Sequence, residues 1–227
     1  DEADKSHWKN CPKCQALTKR ISLKSVEEPQ SYAIKKMDEY FQSKGRKLIG
    51  WDEILEGGLT PGATVMSWRG EEGGIKSANA GHDVIMTPGA YLYFDGYQTD
   101  PRTQPEALGG FLPLEKVYSY NPIPEGIQDD KKKHILGAQA NVWTEHIPTY
   151  QHVEYMAFPR ALALSEVVWT DKDSKSWPDF QKRLQQQYKI LQKLEVNYYR
   201  PSYNVINKVE FDSAQVKNTI SLSSEQF

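Results

Sequence analysis

The sequence predicts an α/β fold with a parallel sheet, organised as half of a (β/α)8 barrel. Three observations lead there. Four short, nearly continuous apolar runs alternate with stretches of helical period, as parallel βα units require. The runs end in aromatic or acidic residues, and barrel active sites sit at the C-terminal ends of their strands. Neither GxGxxG nor GxxxxGK followed by Ser or Thr occurs, so the phosphate loops of nucleotide-binding doubly wound sheets are missing. A whole barrel takes about 250 residues, and this chain of 227 residues offers four strands.

Taken in order, residues 3–24 show no sustained period and read as a loop with at most a short helix. Ala33, Ile34, Met37, Tyr40 and Phe41 then fall at helical spacing. Pro29 suits a first turn and Gly45 a stop, which predicts a one-sided helix over 29–45. Strands follow at 47–51, 64–68 and 83–87, with a short helix over 71–81 between the second and third. Residues 96–132 are rich in Pro, Gly and polar residues and form a long excursion with a helical turn at 114–118. A long loop in a compact domain often borders a site. Residues 135–142 are the fourth strand. A helix over 150–169 should kink at Pro159. A second, over 177–194, carries Trp177, Phe180, Leu184, Tyr188, Leu191 and Leu194 on one stripe, with Pro178 in its first turn. From Asn197 the pattern changes to short alternation among Ser, Asn and Asp, the start of a β-rich module.

Composition excludes several classes. With 38% hydrophobic residues the chain can bury one sizeable core. A net charge of −2 provides no basic field for nucleic acid. The run Lys131-Lys-Lys133 is short and follows Asp129-Asp130, as in a solvated loop. No apolar run approaches the ~20 residues of a membrane span. Cys11 and Cys14 stand in Cys-Pro-Lys-Cys; a structural pair tying a surface loop is the ordinary reading, ahead of redox or metal roles. Six Trp and thirteen Tyr are the unusual numbers. Aromatic-lined clefts suit the C–H faces of sugar rings, although core packing is the commoner reason for a Trp.

Five motifs carry a more specific signal: Asp1-Glu2, Gly50-Trp51-Asp52-Glu53, Ser67-Trp68-Arg69-Gly70, Tyr93-Phe94-Asp95, and Gly137-Ala-Gln-Ala-Asn-Val-Trp143-Thr-Glu145. In that order and spacing they resemble the second half of the catalytic barrel of family-20 glycoside hydrolases, the β-N-acetylhexosaminidases. The resemblance covers about residues 1–200. It implies that the four strands are the fifth to eighth of a TIM barrel, and that 201–227 begin a C-terminal β-sandwich module. It also implies that the first four strands, with an arginine that grips the terminal sugar, lie outside this segment, so a missing N-terminal barrel half is an expected partner.

The resemblance further implies substrate-assisted, retaining hydrolysis of glycans ending in N-acetylglucosamine or N-acetylgalactosamine, without metal or cofactor. Glu2 is then the general acid and base, and Asp1 orients the 2-acetamido group. Tyr93 donates to the acetamido carbonyl. Trp51, Trp68 and Trp143 wall the acetamido pocket, and Asp95 and Glu145 accept from sugar hydroxyls. Asp52 and Glu53 support the pocket from behind, and Arg69 pairs with an acid. His146 lies beside Glu145, but a lone His is more often structural than in contact with substrate. Trp8 and Trp169 are left as packing. A secreted, periplasmic or cell-surface location follows by family. Two other readings compete: a non-catalytic glycan-binding protein on the same scaffold, and a doubly wound α/β domain whose Trp residues are all core.

Overall fold

The computed structural model describes residues 4–25, 28–201, 205–212 and 217–224. Chain contacts divide it into two units, one of residues 1–92 with 121–140 and the other of 93–120 with 141–227.

The first unit is built on a four-stranded parallel sheet, ordered β1 (Ile49–Trp51), β2 (Thr64–Ser67), β3 (Val84–Met86) and β4 (Ile135–Ala138). The register pairs Trp51 with Met66, Ser67 with Met86, and Met86 with Ala138. Val65, Val84 and Met86 share one face of the two central strands and are fully buried, while Met66 and Ile85 on the opposite face are apolar and half-buried, so the runs read as continuously apolar. On the outer strands Ile49 and Leu136 stay 53% and 59% exposed. The sheet also reaches beyond its strands: Thr87 N–H donates to Ser67 O, and Gly89 N–H to Trp68 O.

Two helices cover this sheet. Helix α3 (Glu28–Ser43) brings Ile34 onto Ile54, Ala63 and Val65. Its predicted stripe is only partly inward, because Met37 and Tyr40 are 48% and 57% exposed. The helix instead buries Gln30 and Asp38. Gln30 donates to Glu53 O at 2.9 Å, while Asp38 accepts from Gln42 at 2.8 Å and from the Thr60 hydroxyl. Buried polar groups need such partners. Helix α4 (Glu72–Asn79) lies against β2 and β3. A Cβ at Gly74 would stand 2.5 Å from the Met86 sulfur, so only glycine permits this approach.

Within the predicted loop, the described residues 4–24 hold more structure than expected. Two helices, α1 (Ser6–Asn10) and α2 (Pro12–Arg20), form there, and neither buries a residue. Without a buried face they leave no apolar period in the sequence. Cys11 and Cys14 are free, half-buried thiols at the start of α2, with Cys11 as its N-cap, rather than in a loop.

The second unit is mainly helical. It begins just after the short helix α5 (Gly89–Leu92), which belongs to the first unit, and its α6 (Leu114–Ser119) is the predicted turn inside the long excursion. The segment over 150–169 is broken rather than kinked, into α7 (Tyr150–Ala157) and α8 (Arg160–Trp169), with Phe158-Pro159 between them. Thr149 caps α7 by accepting from His152 N–H. Helix α9 (Trp177–Lys193) buries Phe180, Leu184 and Leu191 along its stripe. Phe180 stacks on Tyr118 of α6 at 4.7 Å between ring centroids. Leu194, at the end of the predicted stripe, is 68% exposed. A second cluster joins Ala107, Ile147 and Met156. Beyond them, β5 (Val205–Asp212) and β6 (Lys217–Ser224) pair as an antiparallel hairpin, in line with the predicted change to β structure.

Candidate active site

The site residues read from the sequence fall in both units. Asp1 and Glu2 lie outside the described residues. Trp51 and Trp68 belong to the first unit, and Tyr93, Asp95, Trp143 and Glu145 to the second.

In the first unit, Trp51 ends β1, and a 3-10 turn over Asp52–Leu55 buries both Asp52 and Glu53. These two acids organise the segment after β2. The Trp68 indole N–H donates to both Glu53 carboxylate oxygens, at 2.9 and 3.0 Å. Asp52 Oδ2 accepts the main-chain N–H groups of Trp68 and Arg69 at 3.2 and 3.3 Å, and its Oδ1 accepts Arg69 Nε at 2.6 Å. Arg69 also reaches Glu56 Oε1 at 2.7 Å. The expected pairing of Arg69 with an acid is therefore present. An open cleft of about 380 Å³ lies here, lined in part by Asp52, Glu56, Arg69, Glu72 and Lys76.

In the second unit, Tyr93 bridges to Asn141, and Phe94 N–H donates to Asn141 O at 2.7 Å. This places Tyr93 edge-on to Trp143, with ring centroids 6.3 Å apart. Asp95 is 2% exposed, and its Oδ1 has no hydrogen-bond partner among the described residues. Burial pushes its carboxyl above the usual range; the Glu145 charge adds to this and the Arg160 charge opposes it. Trp143 and Glu145 face solvent, Trp143 at 39% exposure. His146 contacts Glu106 at 3.0 Å. Trp169 is not packed as expected: it is 87% exposed.

Arg160 was not singled out by its sequence position. It is fully buried at the start of α8. A charged residue within the apolar stretch from Met156 to Trp169 was the available signal, since such residues are seldom buried without a purpose.

The family model for "Glycosyl hydrolase family 20, catalytic domain" matches residues 1–172. A β-hexosaminidase of Porphyromonas gingivalis is 50% identical over 202 residues, 88% of this chain and 26% of that protein. A β-hexosaminidase of Vibrio furnissii is 33% identical over 168 residues, 73% of this chain and 28% of that protein. Among solved structures, an exo β-N-acetylglucosaminidase of Vibrio harveyi, in complex with N-acetylglucosamine, superposes with a TM-score of 0.79 at 32% identity. That match covers 88% of this chain and 32% of the other. The class is thus a glycoside hydrolase catalytic domain of TIM-barrel type. The chain belongs to glycosyl hydrolase family 20. It spans about a quarter of the length of the Porphyromonas gingivalis relative. Membership rules out the doubly wound reading, and the hydrolase names of the relatives do not favour a pure binding protein.

Proposed function

We propose that this chain belongs to an exo-acting β-N-acetylhexosaminidase that removes terminal N-acetylglucosamine or N-acetylgalactosamine from glycans. The observation that carries the reading is Asp95: a buried carboxylate with one oxygen, Oδ1, unpartnered among the described residues. It stands two residues after Tyr93, whose ring meets Trp143. A buried acceptor of this kind suits a sugar hydroxyl, because the bond it lacks in the protein is the one a ligand supplies.

On this reading the substrate's 2-acetamido oxygen attacks the anomeric carbon, and the bond to the leaving oxygen breaks with proton donation from Glu2. Asp1 holds the acetamido N–H and offsets the charge of the oxazolinium ring as it forms. Glu2, now a carboxylate, takes a proton from water that attacks the same carbon from the vacated face. The ring opens, returning the N-acetyl sugar with retained configuration. Tyr93 orients the acetamido carbonyl, Trp51, Trp68 and Trp143 exclude water around its methyl, and Asp95 and Glu145 receive the sugar hydroxyls.

The proposal extends to architecture. β1–β4 are the fifth to eighth strands of the barrel, residues 1–200 its C-terminal part, and 201–227 the start of a β-sandwich module. The complementary barrel half completes the pocket. No helix among the described residues is long and apolar enough to cross a membrane. A secreted, periplasmic or surface location suits polymeric glycan substrates. The test is Glu2→Gln in the complete gene product. Turnover should fall by about 10²–10⁴-fold while sugar binding survives; full turnover would remove Glu2 from the acid role.

A further inference from the structure

We infer that Arg160 is a positioning residue for sugar recognition, fixing the Phe94–Gly96 main chain so that the Asp95 carboxylate is presented to the terminal sugar. This rests on the proposed role of Asp95 as a hydroxyl acceptor.

The geometry is unusual for a buried arginine. Its hydrogen bonds go to main-chain carbonyls. Nη1 donates to Gly96 O at 3.0 Å and Leu112 O at 3.1 Å. Nη2 donates to Phe94 O and to Met156 O, and Nε also reaches Met156 O, at 3.2 Å. The guanidinium thus holds the carbonyls on both sides of Asp95 and ties them to Leu112 and to the last residues of α7. Its carbon lies 4.9 Å from the centre of the Phe94 ring, a cation–π contact. Leu108 N–H donates to Asp95 O at 3.3 Å. The main chain of 94–96 is therefore pinned at three successive carbonyls, and the Asp95 side chain inherits a fixed direction. The planar fork of arginine aims its donors in fixed directions at four carbonyls; a lysine ammonium is a compact point charge with three rotatable donors and cannot reproduce that spread.

Charge adds a second effect. Burying a guanidinium without a carboxylate ion pair is costly, so a merely space-filling role is served better by an apolar side chain. Burial lowers the proton affinity of Arg160 to a pKa of about 9, with Asp95 and Tyr155 opposing, so the group is still a cation at neutral pH. The charged groups acting on Asp95 are this cation and the Glu145 carboxylate, beside burial and a hydrogen bond from its own main-chain N–H. The cation favours the ionised Asp95 that two sugar hydroxyls can share.

The experiment is a double-mutant cycle on the complete gene product, with an aryl N-acetyl-β-glucosaminide as substrate. Arg160→Lys should raise KM about tenfold and leave kcat within about threefold. Asp95→Asn should raise KM at least as much, and the double variant should be no worse than Asp95→Asn alone, because Arg160 acts through Asp95. An unchanged KM for Arg160→Lys, or additive losses in the double variant, overturns the inference while leaving the Asp95 reading intact. An unchanged KM for Asp95→Asn overturns that reading and this inference with it. Should Arg160→Lys not fold, Gly96→Ala tests the same segment with the arginine in place. Its Cβ would stand 3.0 Å from Gly109 O and displace the strand of chain that carries Asp95. Gly96→Ala should then also raise KM, non-additively with Asp95→Asn, and an unchanged KM there overturns the inference.

Discussion

Glu53 accepts the indole N–H of Trp68 on both of its carboxylate oxygens, at 2.9 and 3.0 Å. The carboxylate is 4% exposed and cannot wander. It therefore fixes the plane of the indole, and Asp52 fixes the main chain beneath it through Trp68 N–H. The Asp-Glu pair that follows Trp51 in sequence is in effect the support of the next strand's tryptophan.

Glu53→Gln keeps the shape but leaves one acceptor oxygen and a buried amide donor facing the indole N–H. A bond to a charged acceptor contributes roughly 1.5–3 kcal/mol, so about a tenfold loss in kcat/KM is expected. Glu53→Gln added to Trp68→Phe should cost little beyond Trp68→Phe alone, because Glu53 acts through the indole N–H, and kinetics on the single and double variants will check this.

Asp95→Asn should stabilise the fold while it weakens sugar binding. Folding raises the proton affinity of this carboxyl, so its ionisation opposes folding above the raised pKa and ceases to matter as pH falls toward the unfolded value of about 3.9. Relief of a buried, unsatisfied charge of ~1 kcal/mol corresponds to about 2–4 °C in Tm. Thermal melts should show that gain at pH 7.5 and its disappearance near pH 4. A lower Tm for the variant at pH 7.5 would contradict the account.

Cys11 should react before Cys14. The main-chain N–H of Cys14, the Cys14 thiol and the Lys13 N–H hold the Cys11 thiol below its ordinary range, and the hydrogen bond to Cys11 pushes the Cys14 thiol above it. The thiolate is the nucleophile. Brief iodoacetamide treatment at pH 7.5 followed by peptide mass mapping should find label mainly on Cys11, and equal labelling would rule this out.

The strands were legible because Val65, Val84 and Met86 are fully buried on one face and Met66 and Ile85 are apolar and half-buried on the other, which leaves unbroken apolar runs. Helix α9 was legible from one stripe of Phe180, Leu184 and Leu191. Helices α1 and α2 were not, since they bury nothing. The α3 stripe misled because spacing reveals a face and not what covers it; Met37 and Tyr40 face outward while Asp38 is buried. In the site, motif order brought forward Trp68, Tyr93 and Asp95. Apart from the pairing of Arg69 with an acid, it could not convey which distant residues meet. Glu53 meets Trp68 across 15 positions, and Arg160 meets Phe94 across 66. Such contacts are created by the fold and leave no local pattern.

The central claim is that the substrate's own acetamido group is the nucleophile. The most direct measurement compares hydrolysis of an aryl N-acetyl-β-glucosaminide with that of its N-deacetylated analogue by the complete gene product. Turnover of the first and none of the second is the result the account predicts. Comparable turnover of both would contradict it, because a nucleophile supplied by the protein has no need of the acetyl group.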